Sequence, residues 1–212
     1  MMARLIWRDV RLALGGGASL PIIFFLLVAT LYPFGVGPDG VLLARTGGGV
    51  LWIAALLAAL LPIDRLIAPD AENGVLDQLT VRGVSDEMIA IAKMIAHWLS
   101  FGPPLMLATV PAAALLGLEG GTVWRLEIGL LIGTPSLAAL GVMVAALTTG
   151  LRGGGALAGL LMLPLAVPLL IFGAGSLDPA SGSALKLLGA ASLLLCALTP
   201  FAAGAALRAL RE

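Results

Sequence analysis

Six long apolar runs follow one another along the chain, separated by short polar breaks. The charged residues leave uncharged gaps at 12–38, 46–63, 94–118, 128–151, 153–177 and 187–207. Each gap can hold the roughly 17–25 residues that an α-helix needs to cross a hydrocarbon core about 30 Å thick. The two-residue alternation of a barrel strand is absent, and in lipid only helices and closed barrels satisfy every backbone group. The pattern therefore predicts an all-α integral membrane protein, a single transmembrane domain over residues 1–212. Its six spans are expected at about 18–35, 46–63, 95–118, 128–149, 154–175 and 184–207.

Turn residues place the expected breaks. Gly15-Gly16-Gly17 precedes the first span, residues 32–40 read as a turn-rich exit loop, and residues 119–127 read as a loop with an interfacial Trp124. Prolines inside the spans, such as Pro103, Pro104 and Pro164, are tolerated as kinks where neighbouring helices satisfy the freed carbonyls. The first apolar run is too long for a signal-peptide core and is expected to be a retained helix.

Two stretches depart from the oily pattern. Arg4, Arg8 and Arg11 recur at i, i+4 and i+7, with Leu5, Ile6, Trp7, Val10, Leu12 and Leu14 around the rest of the wheel. Residues 1–15 thus read as an interfacial amphipathic helix. Residues 64–93 carry nine of the 24 charged residues. After the Asn73-Gly74 turn, Val75, Leu76 and Leu79 share one face of a short helix while Asp77 and Gln78 point away, and Gly83 ends it. Ser85 then caps a second helix with Asp86 and Glu87 in its first turn, where the macrodipole favours negative charge. On that helix Met88, Ile91, Ile95 and Leu99 line one face and Asp86, Lys93 and His97 the opposite one, with Trp98 expected at headgroup depth. Residues 64–93 are either a solvated loop or a docking element for a soluble partner.

Composition sharpens this reading. Only 11% of the residues are charged, against about 25% in soluble domains, and the zero net charge gives no sign of a nucleic-acid partner. Counting Lys and Arg alone, nine fall on the side of both termini and residues 64–93, and three (Arg45, Arg125 and Lys186) on the other. The positive-inside rule then predicts a cytoplasmic N-terminus, C-terminus and polar segment. In this register no charged residue need sit at the centre of a span, which argues against a proton-coupled carrier.

Catalytic chemistry is missing from the pattern. The glycine clusters at 15–17, 47–49 and 153–155 lack the Lys and Ser/Thr of a phosphate loop, so ATP hydrolysis would need a separate chain. One histidine and one cysteine, Cys196, exclude a paired-histidine or cysteine-rich metal site and a disulfide within the chain. Ser136 lacks a histidine or lysine dyad partner. No catalytic residue and no metal ligand is expected. His97, beside Trp98, is either a polar interfacial residue or a group that ligates haem iron or responds to pH.

Several stretches carry a resemblance over nearly the whole chain. They include Tyr32-Pro33-Phe34, Leu42-Leu43-Ala44-Arg45, Asn73-Gly74-Val75-Leu76-Asp77-Gln78-Leu79, Ala92-Lys93-Met94-Ile95-Ala96-His97-Trp98, Gly133-Thr134-Pro135 and Leu163-Pro164-Leu165-Ala166-Val167-Pro168. In this order and spacing the chain resembles the CcmB family, the haem exporter protein B permeases of cytochrome c maturation. The resemblance implies a six-helix permease of the ABC-2 exporter type in the bacterial inner membrane. It also implies a separate CcmA-like ATPase, CcmC-like and CcmD-like membrane partners, a CcmE-like haem chaperone, haem as cargo, and a homodimer as one allowed assembly. The family's coupling helix maps onto residues 72–79, where Glu72, Leu76, Asp77, Gln78, Leu79 and Arg82 are the implied ATPase-coupling residues. Two other readings are a generic ABC-2 lipid or drug exporter and an ATP-driven assembly scaffold that transports nothing.

Overall fold

A computed structural model of the chain describes residues 2–15 and 19–211. Met1, the Gly16-Gly17 break and position 18 at the expected start of the first span lie outside the described residues. Nine α-helices are present among those described. Helix α1 is Met2–Gly15, α2 is Ser19–Val36 and α3 is Gly40–Leu60. A 3₁₀ turn at Ile63–Arg65 leads to the short helices α4 (Ala68–Glu72) and α5 (Val75–Val81). Then follow α6 (Asp86–Leu115), α7 (Gly120–Thr148), α8 (Gly154–Gly175) and α9 (Ala184–Ala209). The segments that contain α2, α3, α6, α7, α8 and α9 are each long and apolar enough to cross a membrane. The chain is a multi-pass, all-helical membrane protein.

Several loops expected from turn residues are helical instead. Helix α2 runs through Tyr32-Pro33-Phe34 to Val36, because Pro33 still offers its carbonyl, which accepts from the Gly37 N–H at 2.9 Å. Helix α3 starts at Gly40, ahead of position 46, because the Asp39 carboxylate accepts from the N–H groups of Val41 and Leu42 at 3.0 and 3.2 Å. Helix α7 starts at Gly120, so Arg125 and Glu127 ride on it and are not in a loop. The chain can reverse this sharply because the Leu118 N–H reaches back to the Ala113 carbonyl at 3.0 Å and closes α6 within a few residues.

The centre of the bundle is α7, which packs against α3, α6, α8 and α9. Helix α2 packs on α3 and α6, and α1 lies along α6. Close packing surrounds Trp52 of α3, which is fully buried. Gly129 and Gly133 of α7 and Gly173 of α8 meet its ring, and a Cβ at Gly133 or Gly173 would stand 2.7 or 2.6 Å from an indole carbon. Small residues of this kind let helix backbones approach closely where no hydrophobic effect drives association.

Candidate functional site

The polar segment folds as two short helices joined by a tight turn. Pro69 stands in the first turn of α4, where its missing N–H is not needed. Gly74 (φ +66°) turns the chain, and Gly83 (φ +79°) ends α5 while the Val84 N–H bonds the Leu79 carbonyl at 3.1 Å. Both positions demand the left-handed conformation that glycine adopts without strain. The implied 72–79 helix is thereby corrected. Glu72 closes α4, and the second helix covers Val75–Val81 because the αL residue between them interrupts the hydrogen-bond ladder.

Helix α5 has two chemically distinct faces. Leu76 is 2% exposed and Leu79 packs against the core, so neither is available as an outward anchor. Asp77, Gln78 and Arg82 are exposed, as is Glu72 on α4, and Val81 is 88% exposed at the helix end. The helix is held from its C-terminal side as well. Arg211, just beyond α9, donates to the Thr80 hydroxyl at 2.8 Å and to Asp86 at 2.6 Å, and Arg208 pairs with Glu87 at 2.7 Å. The result is a short polar helix anchored at its base and end, with a free outer face of mixed charge.

Helix α6 presents its two expected faces with an outcome that periodicity could not supply. Met88, Ile95 and Leu99 are exposed, whereas Asp86, Lys93, His97 and Ser100 are buried. Ser85 caps it, accepting from the Met88 N–H at 3.3 Å. Ser85→Ala is expected to lower stability by about 1 kcal/mol, read as a small drop in Tm with no change in assembly. Trp98 does not point outward as an aromatic-belt residue would. It lies over Gly102 and its indole donates to Thr134 of α7 at 3.0 Å.

Sequence reading missed the cluster that ties α4 to the rest. Asp70 of α4 accepts, through a single oxygen, from Arg8 of α1 at 2.6 Å and from Lys93 of α6 at 2.5 Å. Asp9 pairs with Arg8 at 2.6 Å and with Lys93 at 3.3 Å. Burial acts to lower the Arg8 pKa, but Asp9 and Asp70 more than offset it and raise it above the ordinary arginine value. Arg8 turns toward Asp9 and Asp70, whereas Arg4 and Arg11 are exposed. The signal was present in the sequence as Arg8-Asp9 on an apolar helix and a lone Lys93 at a span's start, yet spacing alone pairs none of them.

A cavity of about 270 Å³ adjoins this cluster, lined on its polar side by Asp9, Asp70, Lys93, His97 and Ser100. His97 is buried between helices, its ring 4.8 Å from that of Phe101 and close to Gly141 of α7. Neither ring nitrogen makes a hydrogen bond. Among the described residues no group of three His, Cys, Asp or Glu side chains could hold a metal ion.

The family model described as CcmB protein matches residues 1–210. A Heme exporter protein B of Rhodobacter capsulatus is 48% identical, with 98% of each chain covered. Proteins of the same name from Haemophilus influenzae and Escherichia coli K12 are 44% and 40% identical, with 96% and 98% of each chain covered.

Proposed function

This chain belongs to the CcmB protein family, and on that premise we propose that it is the permease subunit of a haem-exporter ABC system. The premise rests on the relatives named Heme exporter protein B, at 40–48% identity over nearly the full length. In this reading the chain hydrolyses nothing itself. A separate CcmA-like ATPase binds ATP, and the permease converts ATPase closure into motion that delivers haem to, or releases, a CcmE-like chaperone, together with CcmC-like and CcmD-like membrane subunits. The bacterial inner membrane is its place, with both termini and residues 64–93 in the cytoplasm. The nine-to-three Lys/Arg asymmetry supports that orientation.

Helix α5 is the proposed docking element, and the observation that carries this is its division into a buried base and an exposed polar face. A rigid helix whose base is fixed to the bundle passes on a push at its outer face, because packed elements shift as bodies and do not deform continuously. Gln78, Val81 and Arg82, with Asp77 and Glu72 beside them, would meet the ATPase; Leu76 and Leu79 would hold the helix in place. The experiment is co-purification of a tagged ATPase with the wild-type permease and with Val81→Asp/Arg82→Glu. The double variant should fold normally and weaken ATPase association by at least about thirtyfold, the equivalent of one interface hot spot of about 2 kcal/mol. Full retention of the ATPase by the double variant would remove α5 from the interface. Leu76→Asp cannot serve this purpose, since a charge at a buried position disrupts the fold first.

A further inference from the structure

Asp9 is the residue that the ion-pair cluster leaves incompletely satisfied. Its side chain is only 9% exposed and it lines the cavity. Oδ1 accepts from Arg8 at 2.7 Å, but Oδ2 is buried without a hydrogen-bond donor. Lys93 stands 3.3 Å from Oδ2, near enough to pair by charge, while its hydrogen bond goes to Asp70 at 2.5 Å. Buried carboxylate oxygens are nearly always hydrogen-bonded, so an orphan beside a cavity points to a donor that occupies the cavity. The cavity's apolar lining includes Leu12 and Ala13 in the last turn of α1, Pro21 in the first turn of α2, and Leu66, and Arg65 also lines it. Helix α1 itself exposes Trp7, Leu12 and Leu14 together with Arg4 and Arg11, with Arg11 stacked 5.1 Å above the Trp7 ring. That is the surface of a helix lying at headgroup level.

We propose that this cavity binds the headgroup of an ethanolamine phospholipid from the bilayer, with its ammonium donating to Asp9 Oδ2 and its glycerol end against Leu12, Ala13 and Pro21. The ammonium supplies what Oδ2 lacks, a charged N–H donor. A choline headgroup carries the same charge but has no N–H, so it cannot make this bond. A glycerol headgroup has hydroxyl donors but no cationic N–H to place on Oδ2. A lipid held in this way would pin α1 to the bundle in the leaflet on which α1 lies. The inference goes beyond the haem-exporter reading and does not depend on the ATPase.

The test is native mass spectrometry of the full chain, purified in mixed micelles with equal amounts of phosphatidylethanolamine, phosphatidylcholine and phosphatidylglycerol. A charge-assisted hydrogen bond worth about 1.5 kcal/mol or more corresponds to about tenfold enrichment of the ethanolamine lipid over the choline lipid. Asp9→Asn should abolish that preference. Because Asp9→Asn also disturbs the ion pairs, Ala13→Phe is the second variant, filling the apolar end of the cavity while leaving all four charges in place. Equal retention of the ethanolamine and choline lipids, preferential retention of phosphatidylglycerol, or persistence of the ethanolamine preference in either variant that folds overturns the proposal. Displacement of the lipid by soluble glycerophosphoethanolamine at matching concentration would overturn the bilayer as the source.

Discussion

Asp70→Ala is expected to destabilise the purified chain by about 3–5 kcal/mol, the loss typical when one partner is removed from a buried ion pair. One Asp70 oxygen pairs with both Arg8 and Lys93, and Lys93 is only 7% exposed. Without Asp70, Asp9 faces two cations alone, and the second positive charge remains in a low-dielectric site with no counter-charge. The fault should also spread along the chain, because this side chain links α4 to α1 and α6 while α5 follows α4 after a single tight turn. Thermal unfolding in detergent, followed by size-exclusion chromatography, would read the loss. Asp70→Leu/Lys93→Met is expected to recover most of it, since an apolar pair of similar volume often replaces a buried ion pair at little cost. An Asp70→Ala protein with wild-type stability would show that the cluster is solvated and contributes little.

Trp52→Ala should cost a comparable amount, about 3–5 kcal/mol, through the cavity left at the junction of α3, α7 and α8. Gly173→Ala should cost about 1–3 kcal/mol at the same place for the opposite reason, because its new methyl would stand 2.6 Å from the indole. The two changes are therefore expected to couple. In the double variant the shortened residue 52 leaves room for the methyl, and the combined loss should fall short of the sum of the separate losses. Strict additivity in that double-mutant cycle would mean that Gly173 does not serve as the seat of the ring.

The expected behaviour of these residues shows where sequence reading stops. Helix number was legible because lipid allows few architectures, and an uncharged run of sufficient length has one way to satisfy its backbone. Helix ends were less legible. Tyr32-Pro33-Phe34 and Gly120-Gly121 look like loops by composition, but Gly120-Gly121 opens α7, where the first N–H groups need no partner within the helix, and Pro33 costs α2 a single bond in its last turn. Ser85 was readable as a cap because capping is local. The division of α5 into Leu76 and Leu79 on one side and Asp77 and Gln78 on the other was readable from the 100° period, but not that both leucines are spent on the bundle itself.

By itself, then, the sequence determined a six-helix membrane protein, the amphipathic faces of α5 and α6, and the absence of a nucleotide-binding motif, since each depends on residues near one another in the chain. The resemblance to haem-exporter permeases was carried by many weak stretches in one order. Tertiary structure alone decided which face is buried and which charges meet. The polar face of α6 turned inward because Asp70 and Asp9, far away in sequence, arrive to neutralise Lys93. Trp98 turned inward because Gly102 makes room for its ring and Thr134 accepts its proton. A charge can be buried in a bundle only beside its counter-charge, and nothing in the spacing of Arg8, Asp9, Asp70 and Lys93 records that they share one site.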